Sequence, residues 1–242
     1  MCGVGCYMPH LCSGKPGQCL MLPKAYYPLF ADLTGKPCVV IGAGKVAQRK
    51  VTTLLAHQAR LTVISPEATK RILAYARQGR IRYLARQFHP ADLRNAWLAY
   101  AATDDKKINK QVFRAAQKQR VFANIVDQTP LCSFIAPAIF RRGPLTVAVS
   151  TGGSSPSLAK RLRQELGSRI GAEYGAMLGL LASLRGIAKK KLPNYNDRKR
   201  YFDALVSGRV FALARAGRLP AAKKEALAFL DKESALKNGI LR

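Results

Sequence analysis

The sequence predicts an α/β fold: a Rossmann-type doubly wound parallel sheet, then a β-hairpin, then a small C-terminal helical domain. Three features carry that expectation. Short apolar runs alternate with helical segments over residues 22–135, which is the signature of parallel strands joined by crossover helices. A glycine bend, Gly42-Ala43-Gly44-Lys45-Val46-Ala47, lies where the first run meets the first helix. After residue 135 the alternation stops, and two apolar runs around a turn give way to helical spacing alone.

Residues 37–42 read as a buried strand, 45–57 as a helix with Val46, Leu54 and Leu55 on its apolar side, and 60–65 as a second strand. A helix over 68–78 is closed by Gly79. Residues 81–84 make a weak strand and 97–102 a strong one. A helix over 104–119 and a strand over 121–126 complete the sheet. Residues 134–140 and 145–150 then read as a hairpin around Arg141-Arg142-Gly143-Pro144. Such an arm outside the parallel sheet exposes apolar surface, so a second subunit is expected to cover it. Ser155 followed by Pro156 is an N-cap with proline at the first helical position. Further helices fit 172–191, 197–206 and 221–231. The expected domains are a Cys-rich extension at 1–21, a dinucleotide-binding domain at 22–135, a dimerisation segment at 136–168 and a helical domain at 169–242.

Composition narrows the function. Of the 242 residues, 48% are hydrophobic, which excludes wholesale disorder. The formal charge is +28, and it is spread evenly: 20 basic and 6 acidic residues up to position 135, then 21 and 7. An evenly basic surface suits a polyanionic partner. No zinc, winged or aromatic-platform motif accompanies the charge, so nucleic acid is not expected to be that partner. No apolar stretch is long enough to span a bilayer, and no secretory signal pattern is seen, so a cytoplasmic protein is expected. His10, His57 and His89 lack metal-ligand spacing and no C-x-x-C occurs, so no resident metal site is expected. Cys2, Cys6, Cys12 and Cys19 crowd the first nineteen residues, and Met21 is a second candidate start.

The bend matches G-x-G-x-x-[G/A] in the context that gives that motif its meaning. Gly42 permits the tight turn, Gly44 lets backbone approach a pyrophosphate, and the small Ala47 lets the helix pack against the strand. Lys45 and Val46 open the helix, whose free N–H groups face the phosphates. The second strand ends in Ser65-Pro66, with Glu67 beyond, where a ribose-binding carboxylate is usual; NAD is favoured over NADP without excluding it. Thr103, at the end of the fourth strand, is placed on the nicotinamide side. Asp104, Asp105 and Asp127 are the acids that directly follow predicted strands at that edge. The pair opening a helix suits capping, and these three acids are the candidates for a general base; the family resemblance below singles out Asp127. Ser150, Thr151, Gly152 and Ser154 offer hydroxyl and N–H groups to anions.

Six ordered segments together resemble one family: Tyr26-Tyr27-Pro28-Leu29-Phe30, the bend continued through Gln48-Arg49-Lys50, Ala101-Ala102-Thr103-Asp104-Asp105, Asn124-Ile125-Val126-Asp127, Ser133-Phe134-Ile135-Ala136-Pro137-Ala138, and Ser150-Thr151-Gly152-Gly153-Ser154-Ser155-Pro156. They are similar to the precorrin-2 dehydrogenase/sirohydrochlorin ferrochelatase family over roughly residues 22–235. The resemblance implies NAD+-dependent oxidation of precorrin-2, a tetrapyrrole with eight carboxylates, to sirohydrochlorin. In many members insertion of Fe2+ as a substrate metal follows, and others only dehydrogenate. It also implies a homodimer, and a role for Asp127 of the N-x-V-D segment in both steps.

Overall fold

The computed structural model describes residues 25–237, so the four early cysteines and Met21 lie outside the described residues. The chain divides into two units. One holds the described residues up to Ile135 together with Gly152–Ser154, and the other holds Ala136–Thr151 and the residues from Ser155 on.

The first unit is a five-stranded parallel sheet in the order β3-β2-β1-β4-β5, with β1 at Pro37–Ile41, β2 at Arg60–Ile64, β3 at Arg82–Leu84, β4 at Leu98–Ala101 and β5 at Phe122–Ile125. β1 pairs with β2 (Val39 beside Thr62) and with β4 (Val39 beside Ala99), so the order reverses at β1. Side chains alternate between the two faces of a strand, and each face has its own core. Val39, Ile41, Ala99, Ala101, Ala123 and Ile125 pack beneath α3 (Lys106–Gln119) against Val112, Ala115 and Ala116. Cys38, Val40, Val63 and Tyr100 pack beneath α1 (Lys45–Ala56) and α2 (Lys70–Arg77) against Ala47, Val51, Leu54, Ile72 and Tyr75. Burial on both faces is why these strands read as continuous apolar runs.

Most expected elements stand within two residues of their positions. The helix read from position 104 begins at Lys106, because the Asp105 carboxylate accepts from the backbone N–H groups of Lys107 and Ile108 and so acts as its N-cap. The helix read from position 68 begins after Thr69, whose hydroxyl caps Ile72. Two short 3-10 turns, Pro90–Leu93 and Thr129–Leu131, have no counterpart in the sequence reading.

In the second unit, β6 (Ala138–Arg142) and β7 (Leu145–Val149) form an antiparallel hairpin with Phe140 opposite Val147. Its ladder continues through Arg142–Leu145, so the connection is Gly143-Pro144 and not the four residues read from sequence. Gly143 takes a positive φ of 56°, which permits so tight a loop. The Arg142 guanidinium holds the strand end by donating to the carbonyls of Gly167 (2.8 Å) and Ile170 (3.1 Å). Helices α4 (Pro156–Arg169), α5 (Ala172–Lys191), α6 (Tyr195–Ser207), α7 (Arg209–Arg215) and α8 (Leu219–Lys237) follow. Ser155 caps α4 as expected, its hydroxyl accepting from Leu158 N–H. α7 was not foreseen, and α8 is longer than the 221–231 segment. Met177, Leu184, Tyr201, Leu205, Ala226 and Leu230 are part of one core shared by α5–α8.

Candidate functional site: a dinucleotide cleft and an exposed aspartate

The cleft is made by the strand ends. β1 leaves the sheet at Gly42, whose φ is +94° and whose N–H donates to the Ile64 carbonyl at 2.9 Å. A Cβ there would lie 2.2 Å from the Ala102 carbonyl oxygen, so only glycine fits between the ends of β1 and β4. Gly44 is the N-cap of α1 and carries no side-chain cap, and no acid occupies the first helical turn. Its N–H groups are therefore free for an anion. A Cβ on Gly44 would meet nothing within 4 Å, so the space above the bend is open. Lys45 is exposed at the helix start, Val46 is partly covered, and Ala47 is fully buried against the strand. The bend is tied down by Thr69, whose N–H donates to the Ala43 carbonyl and whose hydroxyl donates to the Gln48 side chain.

A cavity of about 180 Å³ opens beside the bend, lined by Gly42, Ser65, Pro66, Arg86, Thr103 and Asp105 among others. It sits where the strand order reverses, the place at which doubly wound sheets bind their ligands. An open phosphate-sized approach, unsatisfied helix N–H groups and a flanking cavity all fit a dinucleotide. Thr103 is fixed on both sides: its hydroxyl accepts from Asp105 N–H, and its carbonyl accepts from the Asn109 amide at 3.0 Å. The Ser65 carbonyl accepts from the Tyr83 hydroxyl at 2.8 Å. Glu67 is exposed and is not among the residues lining the cavity. Arg86 is, and the sequence reading passed over it. Its guanidinium is held by both Asp92 carboxylate oxygens, at 2.9 and 2.6 Å. It lies just beyond β3, so the rule that directed attention to the ends of β2 and β4 reaches it equally.

Asp127 lies two residues beyond β5, and its turn is anchored by Val126 N–H donating to the Ala101 carbonyl at the end of β4. Its φ is +59°, a left-handed conformation in which few non-glycine residues are held. The side chain is exposed and makes no hydrogen bond or ion pair among the described residues. It does not cap the following 3-10 turn, whose N-cap is Gln128. Aspartate is among the few non-glycine residues that take this conformation readily, and here it carries an exposed carboxylate at the edge where doubly wound sheets bind ligands. On β4, Tyr100 is the strand partner of Asn124, and burial pushes its phenol up to about 12.

The other candidates separate. Ser150 and Thr151 fall in the second unit, whereas Gly152 and Ser154 belong to the first. Thr151 is engaged locally: its hydroxyl accepts from Ser155 N–H and donates to the Ser155 carbonyl. His57 caps the end of α1, its Nδ1 2.8 Å from the Thr53 carbonyl oxygen. His89, exposed to solvent, caps a 3-10 turn by accepting from Ala91 N–H. No group of three His, Cys, Asp or Glu side chains suited to a metal ion is found among the described residues. A larger groove of about 330 Å³ runs along edge strand β5 past Phe113, Phe122 and Cys132, but Arg120 and the Cys132 thiol are the only ionisable groups lining it.

Comparison with known proteins agrees with this geometry. Residues 29–138 match a putative NAD(P)-binding domain, residues 142–169 the central part of a sirohaem biosynthesis protein, and residues 173–230 the sirohaem synthase dimerisation region. The chain is 38% identical over 200 residues to a sirohaem synthase of Mannheimia succiniciproducens, covering 83% of this chain and 42% of that one. It is 39% identical over 208 residues to a sirohaem synthase of Actinobacillus succinogenes, covering 86% and 44%. It thus spans less than half the length of these curated relatives. The solved structure of SirC, a precorrin-2 dehydrogenase, superposes with a TM-score of 0.72 at 25% identity, over 86% of this chain and all of that one. Three family models in succession, relatives matched over most of this chain and a shared fold lead to one conclusion: the chain belongs to the precorrin-2 dehydrogenase/sirohydrochlorin ferrochelatase family, to which the matching part of sirohaem synthase also belongs.

Proposed function

We propose that this protein oxidises precorrin-2 to sirohydrochlorin with NAD+, as a homodimer. The observation that carries the reading is the placing of an unengaged, left-handed Asp127 at the same sheet edge as the Gly42 bend. The name of SirC and those of the sirohaem synthases point to the same substrate. The dimerisation-region match over residues 173–230 supports the dimer.

The macrocycle loses two electrons as hydride and one proton. The bound dinucleotide supplies the hydride acceptor. Gly42, Gly44 and the opening turn of α1 hold its pyrophosphate, with Lys45 adding positive charge. Ser65 and Pro66 border the ribose, and Thr103, fixed by Asn109, borders the reacting ring. Asp127 accepts the proton at a carboxylate oxygen. In the first unit, Gly152 and Ser154 are the N–H and hydroxyl candidates for a substrate carboxylate, and in the second unit Ser150 and Thr151 are.

The test is spectroscopic. Purified protein given precorrin-2 and NAD+ should generate the sirohydrochlorin spectrum; an unchanged precorrin-2 spectrum rejects the reading. Asp127→Asn should lower kcat by about 10²–10⁴-fold while NAD+ affinity is kept. Asparagine tolerates the left-handed conformation, so the turn survives that substitution. Full activity in the variant rejects Asp127 as base.

A second reading extends the first, and the sirohaem synthase relatives favour it. Fe2+, as substrate, enters sirohydrochlorin as two pyrrole protons leave, and the same carboxylate receives protons. Adding Fe2+ to sirohydrochlorin and protein separates a chelatase from an enzyme that only dehydrogenates.

A further inference from the structure

Lys50 is the half-buried cation at this edge that the proposed chemistry has not yet used. It lies on α1 alongside the buried face of Ala47, Val51 and Leu54, so its stem is drawn down towards the sheet. Its ammonium reaches over β4, 4.9 Å from the centre of the Tyr100 ring. Tyr100 is itself locked edge-on against Phe134, with centroids 5.3 Å apart, so the platform is rigid. Tyr100 pairs with Asn124 of β5, three residues before Asp127. Lys50 makes no ion pair or hydrogen bond among the described residues.

The charged groups around it are Arg49 on its own helix, and Asp127 and Cys132 on the β5 side. Burial, and next Arg49, push the Lys50 ammonium below its ordinary value, while Asp127 and Cys132 act in the opposite direction. A desolvated ammonium without a full partner has hydrogen-bonding capacity that is costly to leave unused. A lysine kept only to cover apolar surface extends its head into water. This head is instead laid over an aromatic face on the side of the catalytic candidate.

We propose that Lys50 anchors the substrate: its ammonium, seated over Tyr100 beside the end of β5, receives one carboxylate side chain of the macrocycle and so sets the ring against Asp127. This rests on the tetrapyrrole reading above. A carboxylate on Lys50 completes a charge-assisted pair in a partly dry setting. Tyr100, a neutral phenol at physiological pH, supports the cation through its ring face without competing for the anion.

Lys50→Met keeps the length and apolar stem and removes the charge. Steady-state kinetics with precorrin-2 and NAD+ should show KM for precorrin-2 raised about tenfold and kcat within about twofold of wild type, the signature of lost uniform binding. NAD+ affinity should be unchanged, and Lys50→Arg should restore most of the lost KM. Wild-type KM in Lys50→Met overturns the proposal. So does a fall in kcat at constant KM, which would tie Lys50 to the chemistry, or a parallel loss of NAD+ affinity, which would tie it to the pyrophosphate. Should Lys50→Met not fold, Lys50→Gln and an equilibrium titration of sirohydrochlorin apply the same criterion. If wild-type protein leaves precorrin-2 unchanged with NAD+, the functional reading fails and this inference with it; if only the Lys50 variants behave as wild type, the inference alone fails.

Discussion

Gly42 shows how one residue can commit a sheet to a ligand. Its backbone takes a φ of +94°, and the Ala102 carbonyl occupies the place a side chain would need. Gly42→Ala meets both obstacles together. It should destabilise the protein by about 2–4 kcal/mol and lower NAD+ affinity at least tenfold; thermal unfolding with and without NAD+ checks both. Gly44 is different, since nothing stands within 4 Å of its Cβ position and its φ is ordinary. The sequence reading gives the two glycines separate roles, the tight turn to Gly42 and a ligand's close approach to Gly44, and their surroundings differ accordingly. The role of Asp105 as a helix cap was legible, because a cap is a local event. Arg86 was passed over although the strand-end rule reaches it; what the sequence does not show is the Asp92 pair that fixes its guanidinium at the cleft.

At the scale of elements, parallel strands and their helices were readable wherever burial is two-sided, since a run such as Pro37–Ile41 has little other use. Ends were harder. The hairpin turn was read two residues too long, because the hold on Arg142 comes from carbonyls of α4 and the residue that follows it, 25 and 28 positions away. The hairpin and α5 come closer than side chains normally permit. A Cβ on Gly175 would lie 2.4 Å from the Arg142 carbonyl oxygen. Gly175→Ala gains helix propensity but must force the two backbones apart, and the second effect is larger. The expected net loss is about 1–3 kcal/mol in denaturant unfolding. Alanine at Gly179, which has no neighbour within 4 Å of its Cβ position, should be neutral or slightly stabilising.

For the whole molecule, the even +28 charge suits the substrate proposed above, which carries eight carboxylates. Long-range attraction adds to the encounter rate and is screened within about 10 Å at 0.1 M salt. kcat/KM for precorrin-2 should therefore fall several-fold between 50 and 500 mM salt, with kcat less affected; a flat stopped-flow profile would leave the charge without a kinetic role. Composition points to an anionic partner without naming one; the proposed tetrapyrrole rests on the resemblance of six ordered segments whose spacing no single bend supplies.

The contact of Gly42 with Ala102 has a thermodynamic corollary. Since that cradle lasts only while β1 and β4 keep their register, whatever occupies it clamps the middle of the sheet. A cofactor bound there and the fold are then linked by mass action: a hundredfold excess over Kd is worth about 2.7 kcal/mol of resistance to unfolding, so on the reading proposed above a cell rich in oxidised dinucleotide protects the protein as well as driving its reaction.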